Sequence, residues 1–448
     1  MTGAAFLRQT DRLVSGQPER SQLSISRVDS VTFSNRGYLI AFTAIFAIGL
    51  FLRLPPGLFD DNAPLHSIAA FHPNSKWHEM RLVGVDEELY RGYVEQVSEK
   101  GLTHYPDIII GYIEKQLKLP GSILPPVRFL YILAGYLWHS IFGTEALSSL
   151  KGVASLASIL TLAMAAAMAW RMRGPVWSLA VMALVAFAPT QIHMSQHALV
   201  DGFFTFWALL TIWMLWENLQ SPRHWGWLAG YTLALTFLVL TKENSFFVWI
   251  AIVLVLVGNR WLRYGTVSAE LLVATVLGPI LGGVVLIFLA GGMDVLFGTY
   301  RLLISKNYNL PYAIKTGDGP WSRYLVDLLL VSPVILLLAL GAIFRIDRTK
   351  KPEWFLLLFM AGSYLIMCNL KYGMNLRYAN MWDVPLRFLA VGTLVSLVAP
   401  LRRSGLVLTL AIALICAVEM RQYLILFVQF PLYELVSEGL LRALHILK

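Results

Sequence analysis

The stretch Val83–Val97, VGVDEELYRGYVEQV, holds Asp86 and Glu87 side by side with Glu88 next to them. A carboxylate at a membrane surface can take the proton of an acceptor hydroxyl, or it can bind a metal. The plainer alternative is a solvated turn ahead of an amphipathic helix. Val85, Leu89, Tyr93 and Val97 recur at steps of four, which predicts one apolar helix face with the acids at its N-terminal end. A second group is His193, His197 and Asp201, in QIHMSQHALVDGFF. Steps of four predict one helix face, and two imidazoles with a carboxylate can hold a divalent metal. The alternative is that the histidines hydrogen-bond in the interface and Asp201, opening an apolar run, matters alone. Lys242 and Glu243 form a second acidic and basic pair in LTKENSF, at a tight turn. Lys242 can pair with Asp201 or with a phosphate, or serve topology only. Arg128 follows Pro125 and Pro126, Arg301 and Lys306 lie in GTYRLLISKNYNLPY, and Arg377 and Tyr378 lie in MNLRYAN. Arginine grips phosphate oxygens with two nitrogens and lysine acts as a point charge. Each cation alone reads as a headgroup contact or a structural ion pair; together they suit an anionic lipid phosphate. His66, His72, His78 and His104 show no informative spacing.

The elements that must position these residues are apolar. Hydrophobic residues make up 57% of the 448 positions and charged residues only 14%, against about a quarter charged in soluble domains. This predicts an all-α polytopic membrane protein. The net charge of +9 comes from short basic clusters between apolar runs and does not indicate nucleic-acid binding. Cys368 and Cys416 sit in apolar runs and support no disulfide framework. No phosphate-binding glycine loop, GxSxG or HExxH motif is present, so soluble-nucleotide chemistry is not indicated. Residues 1–36 are expected to be a disordered cytoplasmic tail without a cleaved signal peptide. Spans are expected at 37–54, 146–170, 175–189, 199–219, 225–241, 245–258, 267–290, 324–344, 354–370, 382–400 and 404–420. The basic clusters at the tail, Arg171/Arg173, Arg223, Arg260/Arg263, Arg345–Lys351 and Arg402/Arg403 share the N-terminal side only if 126–142 does not cross. That segment is therefore expected to lie in the interface or re-enter. About eleven crossings follow, with the N-terminus inside and 421–448 an extracytoplasmic C-terminal segment. Segments 55–145, 190–198, 242–244, 291–323 and 371–381 fall outside, and every candidate charge falls in or beside them.

The order of motifs resembles a known family. VDEELY follows the first helix, then come LPPVRFLYILAGYLWHSIFG, ALSSLKGVASLASILTL, QHALVDGFFTFWALL, LTKENSFF and NLRYANMWDVPLRF. The series is similar to the C-type (GT-C) membrane glycosyltransferase superfamily, in particular its protein O-mannosyltransferase and aminoarabinose transferase branch, over roughly 37–260 with an echo at 371–390. The resemblance implies a GT-C-like transmembrane domain over 37–420 whose first outer loop, 55–145, is catalytic. It makes Asp86 and Glu87 the catalytic acid pair, and it matches Pro125–Pro126 and Asp201 to family positions. Leu124 stands where many members carry His or Lys. The implied reaction moves a sugar from a polyprenyl-phosphate donor to a hydroxyl of a glycan, lipid or protein acceptor by a single inverting displacement on the extracytoplasmic face of the plasma membrane. Arg128, Lys242, Arg301, Arg377 and Tyr378 are the expected phosphate-binding set, Asp201 and Glu243 a second acidic site, and a divalent metal the one cofactor considered. A transporter or flippase would want charges buried mid-span and internal symmetry. A lipid-linked glycan polymerase or ligase of another fold would use a diphosphate donor.

Overall fold

The computed structural model describes residues 35–54, 84–310, 313, 319–371 and 374–447. The expected tail up to residue 34, the stretch 55–83 and three of the scattered histidines lie outside the described residues. Among the described residues there are helices and turns and no strand, and the long apolar helices make the chain an integral membrane protein.

The helices are α1 (Asn35–Arg53), α2 (Val85–Lys100), α3 (Tyr105–Lys118), α4 (Phe129–Phe142), α5 (Ala146–Arg173), α6 (Pro175–Ala186), α7 (Pro189–Gln196), α8 (Val200–Gln220), α9 (Trp225–Thr241), α10 (Ser245–Leu262) and α11 (Ala269–Ala290). They continue as α12 (Met293–Asn307), α13 (Arg323–Val331), α14 (Pro333–Ile343), α15 (Lys351–Met367), α16 (Asp383–Val398), α17 (Ser404–Tyr423) and α18 (Ser437–Ala443). Each expected apolar segment is helical, but the count of eleven crossings is not reproduced. Six helical stretches are long and apolar enough to cross a membrane, or seven if α6 and α7 form one bent span. The expected span 324–344 breaks at Ser332, because Pro333 lacks a donor and disfavours helix in the residue before it. The same effect at Pro189 ends α6 and bends the chain by 57° into α7.

Two apolar cores organise these helices. One fills the bundle of α5, α6, α8, α10 and α14–α17. The other joins α2, α3 and α4 to α5, α8, α9, α11 and α12. The amphipathic face of α2 is rotated from the expected one. Tyr90, Tyr93, Val94 and Val97 are buried, whereas Val85 is 76% exposed. On α11, Gly278 and Gly282 let α9 approach: a Cβ at either would fall 2.6 Å from Leu235 or 2.8 Å from Val239.

The basic clusters between apolar runs and the candidate site gather at opposite ends of the bundle. At one end, Arg171 pairs with Glu217 (2.6 Å), Arg173 with Glu353 (2.5 Å) and Arg223 with Glu270 (3.8 Å), which ties together the ends of α5, α8, α15 and α11. At the other end lie the start of α2, the junction of α7 with α8 and the turn between α9 and α10. The segment 126–142 becomes α4, fourteen residues and so about 21 Å long. Its Tyr131 hydroxyl reaches the Leu150 carbonyl, while Gly135 and Trp138 meet Leu150 and Gly152. Tyr131, Gly135 and Trp138 of α4 thus pack against α5 around Leu150 and Gly152.

Candidate active site

Glu87 is a clamp. Gly84 precedes α2 in extended conformation, and the Glu87 carboxylate turns back to accept its amide (2.9 Å). The other carboxylate oxygen accepts the Ala198 amide at 2.6 Å and faces His197 Nδ1 at 3.4 Å. Burial pushes this carboxyl up, but His197 and the two backbone amides outweigh burial and hold it at about 2. With both oxygens engaged and 1% exposure, Glu87 fixes the first turn of α2 to the α7–α8 junction. Asp86, one residue earlier, points the other way. Its carboxylate is 26% exposed, lines a cavity of about 1150 Å³ and accepts from Arg377 Nη2 at 3.1 Å.

Arg377 is carried by a 3₁₀ turn, Leu376–Trp382, whose start is capped by the Asn375 side chain accepting from the Arg377 amide (3.0 Å). Its guanidinium also lies 3.3 Å from Glu434 and 3.9 Å from Asp201, and 5.5 Å from the centre of the Tyr433 ring. Its Nη1 is buried and makes no hydrogen bond among the described residues. Asp201 pairs with Lys242 at 2.5 Å, and the Lys242 ammonium sits 4.0 Å from the centre of the Tyr378 ring. Arg128 holds Glu243 with two nitrogens (3.1 and 2.5 Å) and donates to the Tyr90 hydroxyl at 2.5 Å. Burial pushes the Glu243 carboxyl up, and Arg128 more than reverses this and holds it below its ordinary value.

Tyrosines set the place of Arg128. The segment ahead of it contains Pro125 and Pro126 and leaves its carbonyls without helical partners. Tyr93 donates to the Leu124 carbonyl (2.6 Å), Tyr105 to that of Pro126 (2.6 Å) and Tyr112 to that of Ile123 (3.2 Å). Three hydroxyls from α2 and α3 thus hold an irregular segment against the cavity.

The cavity gathers Asp86, Arg128, His193, His197, Glu243, Arg377 and Tyr378, with Lys242 and Asp201 buried directly behind Arg377 and Tyr378. Arg301 is not among them. It is exposed on α12, in a shallow groove with Phe297, Tyr300 and Ile304, because it projects from the outer face of that helix. The expected shared face of His193, His197 and Asp201 does not form either. Helix α7 ends at Gln196, His197 is extended (φ −112°, ψ 147°) and α8 begins only at Val200. His193 stacks on Phe427 with ring centres 4.3 Å apart, while Asp201 is taken by Lys242. Among the described residues no three His, Cys, Asp or Glu side chains are arranged to hold a metal ion. The donor set does not fit a metal.

Sequence reasoning missed Tyr433 and Glu434, which the chain after α17 brings back over the cavity. Glu434 accepts from Asn375 Nδ2 at 2.6 Å. The Tyr433 ring lies against Gly84, where a Cβ would fall 2.1 Å from its Cζ atom. The only signal was a tyrosine and an acid in an apolar stretch, PLYELV, with no spacing to single them out.

No protein-family model matches the chain, and no curated protein matches it. Solved structures do share its fold. ArnT from Cupriavidus metallidurans in the apo state superposes with a TM-score of 0.50 at 16% identity, covering 86% of this chain and 64% of that one. The Archaeoglobus fulgidus oligosaccharyltransferase in the apo form gives 0.55 at 12% identity, covering 92% and 56%. The Archaeoglobus fulgidus AglB complex with an inhibitory peptide and a dolichol-phosphate gives 0.52 at 12% identity, covering 86% and 55%. The chain thus shares the fold of these structures, and it spans between half and two thirds of their length.

Proposed function

We propose that the protein is a membrane glycosyltransferase that takes a sugar from a polyprenyl-phosphate donor and places it on an acceptor hydroxyl. The observation that carries this reading is the split between neighbours: Glu87 is locked by backbone amides, while Asp86 faces the cavity beside a guanidinium. Asp86 accepts the proton of the acceptor hydroxyl as its oxygen bonds to the anomeric carbon. The bond from that carbon to the phosphate oxygen breaks, and the polyprenyl phosphate leaves with the electron pair, inverting the anomeric centre. A phosphate leaves without a general acid but needs cations on its developing charge. Arg377, with its unpartnered Nη1, and Arg128 serve there. Lys242 acts from behind, through Asp201 and the Tyr378 ring.

The separation of the basic loop clusters from the cavity supports an orientation with those clusters cytoplasmic and the cavity on the extracytoplasmic side of the plasma membrane. The short α4 fits an interfacial helix, because about 21 Å falls short of a hydrocarbon core of about 30 Å. Purified protein with a lipid-monophosphate sugar and a hydroxyl acceptor tests the reaction. Transfer is expected, unchanged by a chelator and abolished by Asp86→Asn. Normal turnover in that variant would remove Asp86 from the chemistry.

A further inference from the structure

The buried cations at the cavity already stand against carboxylates. Arg128 is held by Glu243 with two hydrogen bonds, Lys242 by Asp201, and Arg377 has Asp86, Asp201 and Glu434 around it. An anionic donor entering this set meets cations that already carry carboxylates. The elements that bear the carboxylates decide which of them gives way most readily. Asp86 sits in the first turn of α2, which Glu87 anchors. Asp201 opens α8 and is 3% exposed. Glu243 is bound bidentately in a tight turn between two helices. Glu434 stands on a longer non-helical stretch, between Gln429 and Ser437, where residues 430–434 are all half-buried. It makes both of its contacts, to Arg377 and to Asn375, through one oxygen, Oε2. Oε1 makes no hydrogen bond among the described residues.

We infer that Glu434 occupies the seat of the donor phosphate on Arg377 and is displaced by it. This rests on the glycosyltransferase reading above. A carboxylate and a phosphate present the same kind of oxygen to a guanidinium, and Arg377 satisfies one with the nitrogens it would turn to the other. Glu434 is therefore a positioning residue. It holds Arg377 oriented beside Asp86 in the absence of donor, lowers the affinity for the spent lipid phosphate, and releases the strap 430–436 when a phosphate takes its place. The strap is fastened near this point by the Leu376 amide donating to the Leu435 carbonyl at 3.2 Å, so exchange at Arg377 reaches it directly.

The test is equilibrium binding of undecaprenyl phosphate, with neutral undecaprenol as control, to the purified full chain and to Glu434→Gln. Glutamine keeps the side-chain shape and still accepts from Asn375. The phosphate is expected to bind the variant at least about tenfold more tightly than the wild type, with undecaprenol unchanged. Equal or weaker binding of the phosphate by the variant overturns the proposal while leaving the donor reading intact. No preference for the phosphate in either protein overturns both. If the variant does not fold, the wild type alone decides. Undecaprenyl phosphate should increase amide exchange across 430–436 and at Leu376, and unchanged or slower exchange there overturns the displacement.

Discussion

Asp86 and Glu87 are adjacent, acidic and at the same helix end, yet exchanging each carboxylate for its amide should have opposite consequences. Glu87 is 1% exposed and accepts two backbone amides, with His197 beside it. In Glu87→Gln one carbonyl oxygen remains, and the NH₂ group is forced against an amide donor of Gly84 or Ala198. Holding the carboxyl at about 2 instead of 4.5 corresponds to about 3 kcal/mol. A buried donor left without an acceptor costs about 1–3 kcal/mol on its own. We therefore expect Glu87→Gln to destabilise the protein by roughly 3 kcal/mol. Asp86 is partly exposed, and Arg377 keeps Glu434 and Asp201 when the Asp86 charge is removed. Asp86→Asn should shift stability by less than about 1 kcal/mol, while turnover falls at least about 100-fold with the loss of the base. The sign with pH follows. A carboxyl whose folded value is depressed stabilises above its unfolded value, and that stability is lost as pH falls through the folded value. The wild type should lose stability between about pH 4.5 and pH 2, and Glu87→Gln should lack that component. Thermal unfolding in detergent across this range, paired with the transfer assay, reads both quantities. Equal destabilisation by the two substitutions, or an inactive but fully stable Glu87→Gln beside an active Asp86→Asn, would refute the division.

Three further outcomes follow from the same geometry. Arg128→Met should cost about 3–5 kcal/mol, since it leaves Glu243 without its partner, and adding Glu243→Met should recover most of that loss in the same unfolding assay. Gly84→Ala should cut transfer sharply by driving Tyr433 off the start of α2, and Tyr433→Ala in the same chain should relieve the clash. A coupling of zero between the two would contradict the contact. For orientation, Glu114→Cys on the exposed side of α3 should react with an impermeant maleimide added outside, and Arg402→Cys should not. Cys368 and Cys416 are buried and contribute little background; the reverse labelling would invert the proposed topology.

The apolar runs were legible because long hydrophobic helices announce themselves by composition, and the end at which charges gather could be read from basic clusters alone. The candidate site was legible wherever a charge interrupted such a run, as at Asp201 and Lys242, whose pairing follows from two helix ends meeting. What failed was periodicity carried across a break. The spacing of His193, His197 and Asp201 suggests one face only if the helix continues, and it stops at Gln196. Arg301 failed for a related reason: a cation in the right loop still has to project from the right face of its helix. Glu434 was illegible because its place depends on where the chain after α17 returns, a long-range contact with no local pattern.

The break between α6 and α7 shows how the bundle makes the site. A helix that stops inside a bundle leaves carbonyls without partners. Here the Arg53 guanidinium, fully buried at the end of α1, donates to the Val185 and Ala186 carbonyls at 2.8 and 3.0 Å. It also donates to Ser158 at 2.9 Å. With that end capped, Pro189 can start α7 on a new axis, 57° away, and α7 can be short. Its short length is what frees the Ala198 amide from any helical bond and aims it at Glu87. Had α7 run on into α8, that amide would point along the helix, Glu87 would lose an anchor, and Asp86 would no longer be held facing Arg377. A buried arginine far along the chain from Glu87 thus sets the geometry of the acid pair through a helix end, without touching the cavity.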